Sequence, residues 1–320
     1  MTTPVVPFDM IPQKQLAPTC TAIAEAGGTT EHAAWIRQPG NAATLVAFMN
    51  SQMGGASLLR VELYENERGT SNYGPPKDWA PKPYEVQHSS LRETWSKLTP
   101  PPSIEALLAP YVGAGEAKGY RESSAPSIVL PDGEEGFFFG AKLSAIARII
   151  KGNEGMPDYN RVHKHLLAML RERNTNFKDW TEDRLDERFE KPLEDWWKRR
   201  IAYEATIPGD FVAYAGQTGV QYRNWSVRAS RAHMEQGRRR IGMTSPDVAQ
   251  ILLFHAERLT KSEHLAMDCA GTERAPAGGG DFRRASCFFF SDEGLNFYAY
   301  GLGVQSPLFG SASFCLPGVA

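Results

Sequence analysis

The stretch from Tyr222 to Met267 constrains the fold most, because it joins a basic segment to the helix with the clearest start signals in the chain. Ser245-Pro246-Asp247 predicts an N-cap, a first helical residue and an acid in the first turn. One face of that helix would then carry Val248, Ile251, Leu252, His255 and Leu259. The pattern therefore predicts a basic surface that leads into a core helix.

The basic segment combines arginines with aromatic residues. Between Tyr222 and Ile241, Glu235 is the one acidic residue. Guanidinium groups bind phosphates and stack on aromatic rings, and this combination is typical of surfaces for single-stranded nucleic acid. The predicted nucleic-acid-binding residues are Arg223, Trp225, Arg228, Arg231, Arg238, Arg239 and Arg240. The alternative interpretation is a charged helix face that pairs with the acids between Glu182 and Asp195.

Composition limits the classes to which the chain can belong. Its 320 residues, of which 42% are hydrophobic, suffice for one large or two modest globular domains. The net charge of −2 means that nucleic-acid binding would depend on local clustering of arginine. The four cysteines are widely spaced, which predicts neither a zinc site nor a disulfide framework and favours a reducing compartment. No apolar window is long enough to predict a membrane span.

Hydrophobic periodicity predicts a mainly α protein with a minor β component (α+β), a helical core and extended N- and C-terminal arms. Helices are predicted at 134–150, from Pro157 and from Thr181. Asp210 to Tyr214 predicts a short strand, and the aromatic runs at 287–290 and 295–304 predict a hairpin. The predicted divisions are an arm at 1–18, a mixed α/β region with a proline-rich loop at 19–130, a helical core at 131–275, and the hairpin with an apolar tail at 276–320.

Catalytic motifs give no comparable signal. The sequence contains no G-x-x-x-x-G-K-[ST], H-E-x-x-H or G-x-S-x-G pattern, and we expect no catalytic residue, metal ligand or cofactor. One alternative is an enzyme whose site is assembled from distant carboxylates and histidines, with Asp158, His163 or His255 in a pocket. Another is an adaptor or effector that binds a protein through the aromatic loop around Trp79.

Two features resemble viral structural proteins. Residues 228–243, with Arg228-Ala229-Ser230-Arg231-Ala232-His233-Met234, Arg238-Arg239-Arg240 and Gly242-Met243, resemble the arginine-rich stretch in coat proteins of filamentous plant RNA viruses. The order of a proline-rich arm, a helical centre and an apolar tail is similar to that of RNA-virus coat or nucleocapsid proteins. The resemblance implies a capsid or nucleocapsid subunit that self-assembles and encloses an RNA genome. It implies the chain itself and RNA as partners, no membrane, and a location in the virion and the host cytoplasm.

Overall fold

The computed structural model describes residues 64–112, 128–151, 156, 158–181, 184–236, 239–276, 279–291 and 294–317. They belong to a unit that runs from Glu62 to Ala320. The predicted N-terminal arm at 1–18 and Arg238 lie outside the described residues.

Up to Phe254 the described residues form both α-helices and strands, and after it they form one 3-10 turn and strands. The α-helices are α1 (Tyr84–Thr94), α2 (Ile104–Leu108), α3 (Leu143–Ile149), α4 (Asp158–Arg173), α5 (Glu194–Thr206), α6 (Val227–Gln236) and α7 (Ser245–Phe254). The β-strands are β1 (Gly136–Ala141), β2 (Lys178–Asp179), β3 (Glu190–Pro192), β4 (Phe211–Gln217), β5 (Arg240–Gly242), β6 (Ala266–Asp268), β7 (Thr272–Arg274), β8 (Arg284–Ser291), β9 (Gly294–Gly301), β10 (Phe309–Ser311) and β11 (Ser313–Cys315). Short 3-10 turns occur at Glu65–Glu67, Ala109–Tyr111, Val220–Tyr222 and Ala256–Arg258.

The smaller sheet has the order β1-β4-β11-β5, and each neighbouring pair is antiparallel. Its central strand β4 is buried at every position, as expected for a strand that is covered on both faces. Strand β11 lies between β4 and β5, and there Phe314 stacks on Tyr214 with ring centroids 4.3 Å apart. The C-terminal segment is therefore part of the hydrophobic core.

The larger sheet is built around the hairpin of β8 and β9. These strands pair from Arg284 with Gly301 to Ser291 with Gly294, which confirms the predicted hairpin. The rest of the sheet follows the order β10-β6-β8-β7-β3, and β2 pairs in parallel with the other edge of β9. Only Ala312 separates β10 from β11, so the C-terminal segment contributes one strand to each sheet.

The prediction of a mainly α, mainly helical protein with a minor β component is wrong, because the described residues contain eleven strands in two multi-stranded sheets. The predicted helix at 134–150 contains β1, and α3 follows it. A short apolar run such as Phe137-Phe138-Phe139 has no period that separates a strand from a buried helix. The predicted C-terminal arm is also wrong, because β10 and β11 pair within the sheets of their own unit.

The predictions for individual helices and strands were confirmed in part. Helix α4 confirms the predicted helix from Pro157, and β4 confirms the predicted strand. The predicted helix from Thr181 is instead divided into β3 and α5. At α7 the N-cap is Thr244, one residue earlier than predicted, and it forms a reciprocal capping box with Asp247.

We expect Phe314→Ala to lower the free energy of unfolding by about 3 to 5 kcal/mol, because it leaves a cavity beside Tyr214 at the centre of the smaller sheet. Urea denaturation followed by circular dichroism measures the change. Val304→Ala is the matched control, since Val304 is 48% exposed and its truncation should cost less than about 0.5 kcal/mol. Equal stability of the two variants would contradict the placement of β11.

Candidate nucleic-acid interface

The basic segment forms a turn followed by helix α6. Asn224 adopts a left-handed conformation with φ of 58°, which lets the chain turn before the helix begins. The Ser226 hydroxyl accepts a hydrogen bond of 3.1 Å from the backbone N–H of Ala229, and it thereby caps the first turn. Helix α6 buries Val227 and Met234, so its arginines lie at the border of the core.

Arg223 and Arg228 bind the segment that precedes α1. The Nε of Arg228 donates to Glu67 Oε2 at 2.7 Å, and its guanidinium carbon lies 4.8 Å from the centroid of the Tyr64 ring. The Nη1 of Arg223 donates to the carbonyl of Tyr73 at 3.3 Å. Both arginines therefore connect distant parts of the chain.

The indole of Trp225 is already stacked within the chain. The Arg68 guanidinium carbon lies 4.6 Å from the centroid of the Trp225 ring. Tyr222 and His233 approach the same indole in edge-on geometry, each with a centroid separation of 5.5 Å. A nucleic-acid base would have to displace Arg68 in order to stack on that face.

The remaining arginines differ in their contacts and in their exposure. Arg231 donates to the carbonyls of Ala270 at 2.8 Å and Thr272 at 2.7 Å. Arg240 lies 2.5 Å from the buried carboxyl of Glu134. The side chain of Arg239 is exposed.

The described members of the basic segment, Arg223, Trp225, Arg228, Arg231, Arg239 and Arg240, are called the basic cluster below. The structure brings them onto one turn, one helix and the strand that follows. Their carboxylate partners, Glu67 and Glu134, lie far from them in the sequence, and no spacing signal could have indicated either one. Within the described residues, no ion pair joins the cluster to the acids between Arg184 and Asp195.

One buried carboxyl lies close to this cluster. Burial raises the pKa of Asp268 to about 7, against the lowering effects of a hydrogen bond from Tyr300 and of the charge on Arg231. The Tyr300 hydroxyl donates to Asp268 Oδ1, whereas Asp268 Oδ2 has no hydrogen-bond partner among the described residues. Asp268 therefore makes the region sensitive to pH.

The residues of the enzyme alternative have separate surroundings. His163 Nδ1 lies 2.7 Å from Glu190 Oε1, and both side chains are fully buried. Glu190 also accepts from Arg274 and Ser286. Burial raises the pKa of Glu190, but the interactions with His163 first, and then with Arg274 and Ser286, outweigh it and lower the pKa to about 2. Burial, with a smaller effect from Lys82, lowers the pKa of His255 to about 3.

Asp158, the third residue of the enzyme alternative, forms an ion pair with Arg161 at the start of α4, with 2.7 Å between the charged atoms.

The aromatic loop of the adaptor alternative is packed on its own chain. The Trp79 ring stacks on Phe138 with centroids 6.3 Å apart, and the guanidinium of Arg258 lies 5.4 Å from its centroid.

In the part of the chain that the structure describes, no group of three or more His, Cys, Asp or Glu residues is placed to hold a metal ion. No helix of that part is long and apolar enough to cross a membrane. Comparisons with protein-family models, with curated proteins and with solved structures found no match for this chain. The basis for a function is therefore the chemistry of its own residues.

We expect Asp268→Asn to remove a pH-dependent loss of stability. The folded-state pKa is raised from 3.8 to about 7, so the unfolded chain ionises first and the free energy of unfolding falls as pH rises between these values. The loss is on the order of 4 kcal/mol, and it does not grow above the folded-state pKa. Urea denaturation from pH 4 to pH 8 measures it. Identical pH profiles for the original chain and Asp268→Asn would contradict this account.

Proposed function

We propose that this chain is a structural subunit that binds RNA and self-assembles around it, as a coat or nucleocapsid protein does. The observation that carries the proposal is that the described arginines of the basic cluster outnumber their ion-pair partners. Five described arginines belong to the cluster, and their ion-pair partners are Glu67 and Glu134. More guanidinium charges are present than carboxylates paired with them, and the charges of Glu273 and Asp268 also act on Arg231.

The hydrogen bonds to carbonyl groups do not remove this charge. Arg223 and Arg231 donate to backbone oxygens, which carry no net charge. Burial raises the pKa of Glu134 to about 8, so this carboxyl is at most a partial counter-charge for Arg240 at neutral pH. The cluster therefore attracts phosphate over a distance of about one Debye length, roughly 8 Å at physiological salt.

Two side chains of the cluster are open to solvent. Arg239 is exposed, and the side chain of Arg228 is 44% exposed although it pairs with Glu67. The contacts of Arg223 and Arg228 within the chain hold this part of the surface in place, so a bound phosphate would not have to order it. Sequence-independent contacts of this kind suit a subunit that holds a genome of any sequence.

We expect Arg239→Ala to weaken RNA binding and to reduce the salt dependence of the affinity. One lost phosphate contact should lower the slope of log K against log salt concentration by about 0.7. Fluorescence anisotropy with a single-stranded RNA at several salt concentrations measures the slope. Lys261→Ala is the matched control, because Lys261 is 65% exposed and lies outside the cluster. Equal slopes for both variants would show that Arg239 makes no phosphate contact.

Self-assembly is a separate prediction, and it follows from the resemblance to coat proteins. Sedimentation velocity at increasing protein concentration, with and without single-stranded RNA, should show species larger than a monomer. Electron microscopy of the same samples should show regular particles or filaments. A chain that stays monomeric in both conditions at high concentration would refute the structural-subunit proposal.

A further inference from the structure

A row of aromatic side chains lies on one face of β9, the strand that completes the β8–β9 hairpin. Successive residues of a strand point to opposite faces, so Asn296, Tyr298 and Tyr300 share a face. Beyond Phe297, the edge of β9 that pairs with β2 has no strand partner in the described part of the chain. This end of the larger sheet is therefore open on one edge.

Trp180 lies on the same face. Its backbone N–H donates to the carbonyl of Phe297 at 3.1 Å, just after β2 ends. Its indole Nε1 donates to Asn296 Oδ1 at 2.8 Å, which fixes the ring on the side of β9 that carries Tyr298. Trp180 is 57% exposed and Tyr298 is 44% exposed, a large fraction for aromatic side chains.

Tyr300 gives this row a rigid end. Its hydroxyl donates to the buried carboxyl of Asp268, and its ring lies against Phe309 with centroids 4.9 Å apart. The rings of Trp180, Tyr298 and Tyr300 are called the aromatic face below. Two of them are open to solvent and the third is fixed by its contacts.

Two arginines lie beside the open edge of β9. Arg284 is opposite Gly301, so it lies on the other face of the hairpin from Tyr298 and Tyr300 and reaches them around this edge. Arg283, Arg284, Tyr298 and Tyr300 line an open concavity of about 660 Å³. Arg284 is exposed and forms no ion pair within the described residues. Arg283 pairs with Asp281 at 2.8 Å, but their side chains are 82% and 74% exposed, and such pairs contribute little. Both guanidinium groups are therefore available to a phosphate.

We propose that the aromatic face binds single-stranded nucleic acid, with bases stacked on Trp180 and Tyr298 and phosphates bound by Arg283 and Arg284. This inference rests on the proposed function for the class of partner, and it names a site outside the basic cluster. Aromatic rings on a sheet surface, flanked by cations, are the groups that hold unpaired bases and their backbone. A duplex offers no free base face to such a row of rings.

The contrast with Trp225 supports this location. The π-face of Trp225 is occupied by Arg68, whereas no cation lies over Trp180 or Tyr298 among the described residues. The guanidinium groups of Arg223 and Arg231 are already bound to carbonyls, whereas Arg284 has no such bond in the described part of the chain. A ligand on the aromatic face would therefore have to replace only the exposed pair of Arg283 with Asp281 among the contacts described above.

The experiment compares Tyr298→Ala with Tyr298→Phe in binding a fluorescently labelled oligouridine of 15 nucleotides. Loss of one stacked base should weaken binding about tenfold or more in Tyr298→Ala, and the phenyl ring of Tyr298→Phe should preserve the affinity. The double variant Arg283→Ala with Arg284→Ala should lower the salt slope by about 1.4, which corresponds to two phosphate contacts on a single strand. Circular dichroism confirms that each variant is folded.

The outcomes separate this inference from the proposed function. If the original chain binds the oligonucleotide and all three variants bind it equally well, the aromatic face is not the site. If these variants keep RNA binding but lose self-association in sedimentation, the face belongs to a second copy of the chain and the inference is overturned. If the original chain binds no RNA at low salt, the proposed function is refuted, and so is the inference that rests on it.

Discussion

The pairing of the C-terminal segment with both sheets is the interaction on which the rest of the structure depends. Strand β10 pairs with β6 in the larger sheet, and β11 lies between β4 and β5 in the smaller one. Without β11, β5 would have no strand partner among the described residues, and β4 would lose one of its two. Because β5 begins at Arg240, the last member of the basic cluster, and α7 follows β5, the positions of the cluster and of the core helix both depend on the pairing of β11.

Arginine has two distinct roles in this fold. Arg258 is fully buried, and it donates to the hydroxyl and carbonyl of Thr218 and to the carbonyl of Leu265. Burial lowers its pKa to about 10, which still leaves the guanidinium charged at neutral pH. Such a buried cation is tolerable because its donors are satisfied, and it then crosslinks several segments. Arg239 and Arg284 have no comparable contacts among the described residues, and they can meet a ligand. An arginine count in a sequence does not separate these two roles.

The parts of the fold that local patterns determine were predictable, and the parts that depend on long-range pairing were not. Helix α4 and the β8–β9 hairpin follow from spacing and turn residues. The smaller sheet joins residues near 138, 214, 241 and 314, and no local pattern indicates that these segments are neighbours. The predicted site was incomplete for the same reason. Six arginines close in sequence indicated one surface, but Glu67 and Glu134, which bind two of them, come from distant parts of the chain.

The aromatic face shows how topology can assemble a surface that spacing does not indicate. Trp180 and Tyr298 are more than a hundred residues apart, and the parallel pairing of β2 with β9 brings them to the same face. Tyr222 and Trp225 are close in sequence, yet they pack on each other and on His233. Arg68 covers one face of the Trp225 indole. Stacking needs an uncovered ring, and phosphate binding needs an unpaired cation. In the described residues, these two conditions coincide at the open edge of the larger sheet.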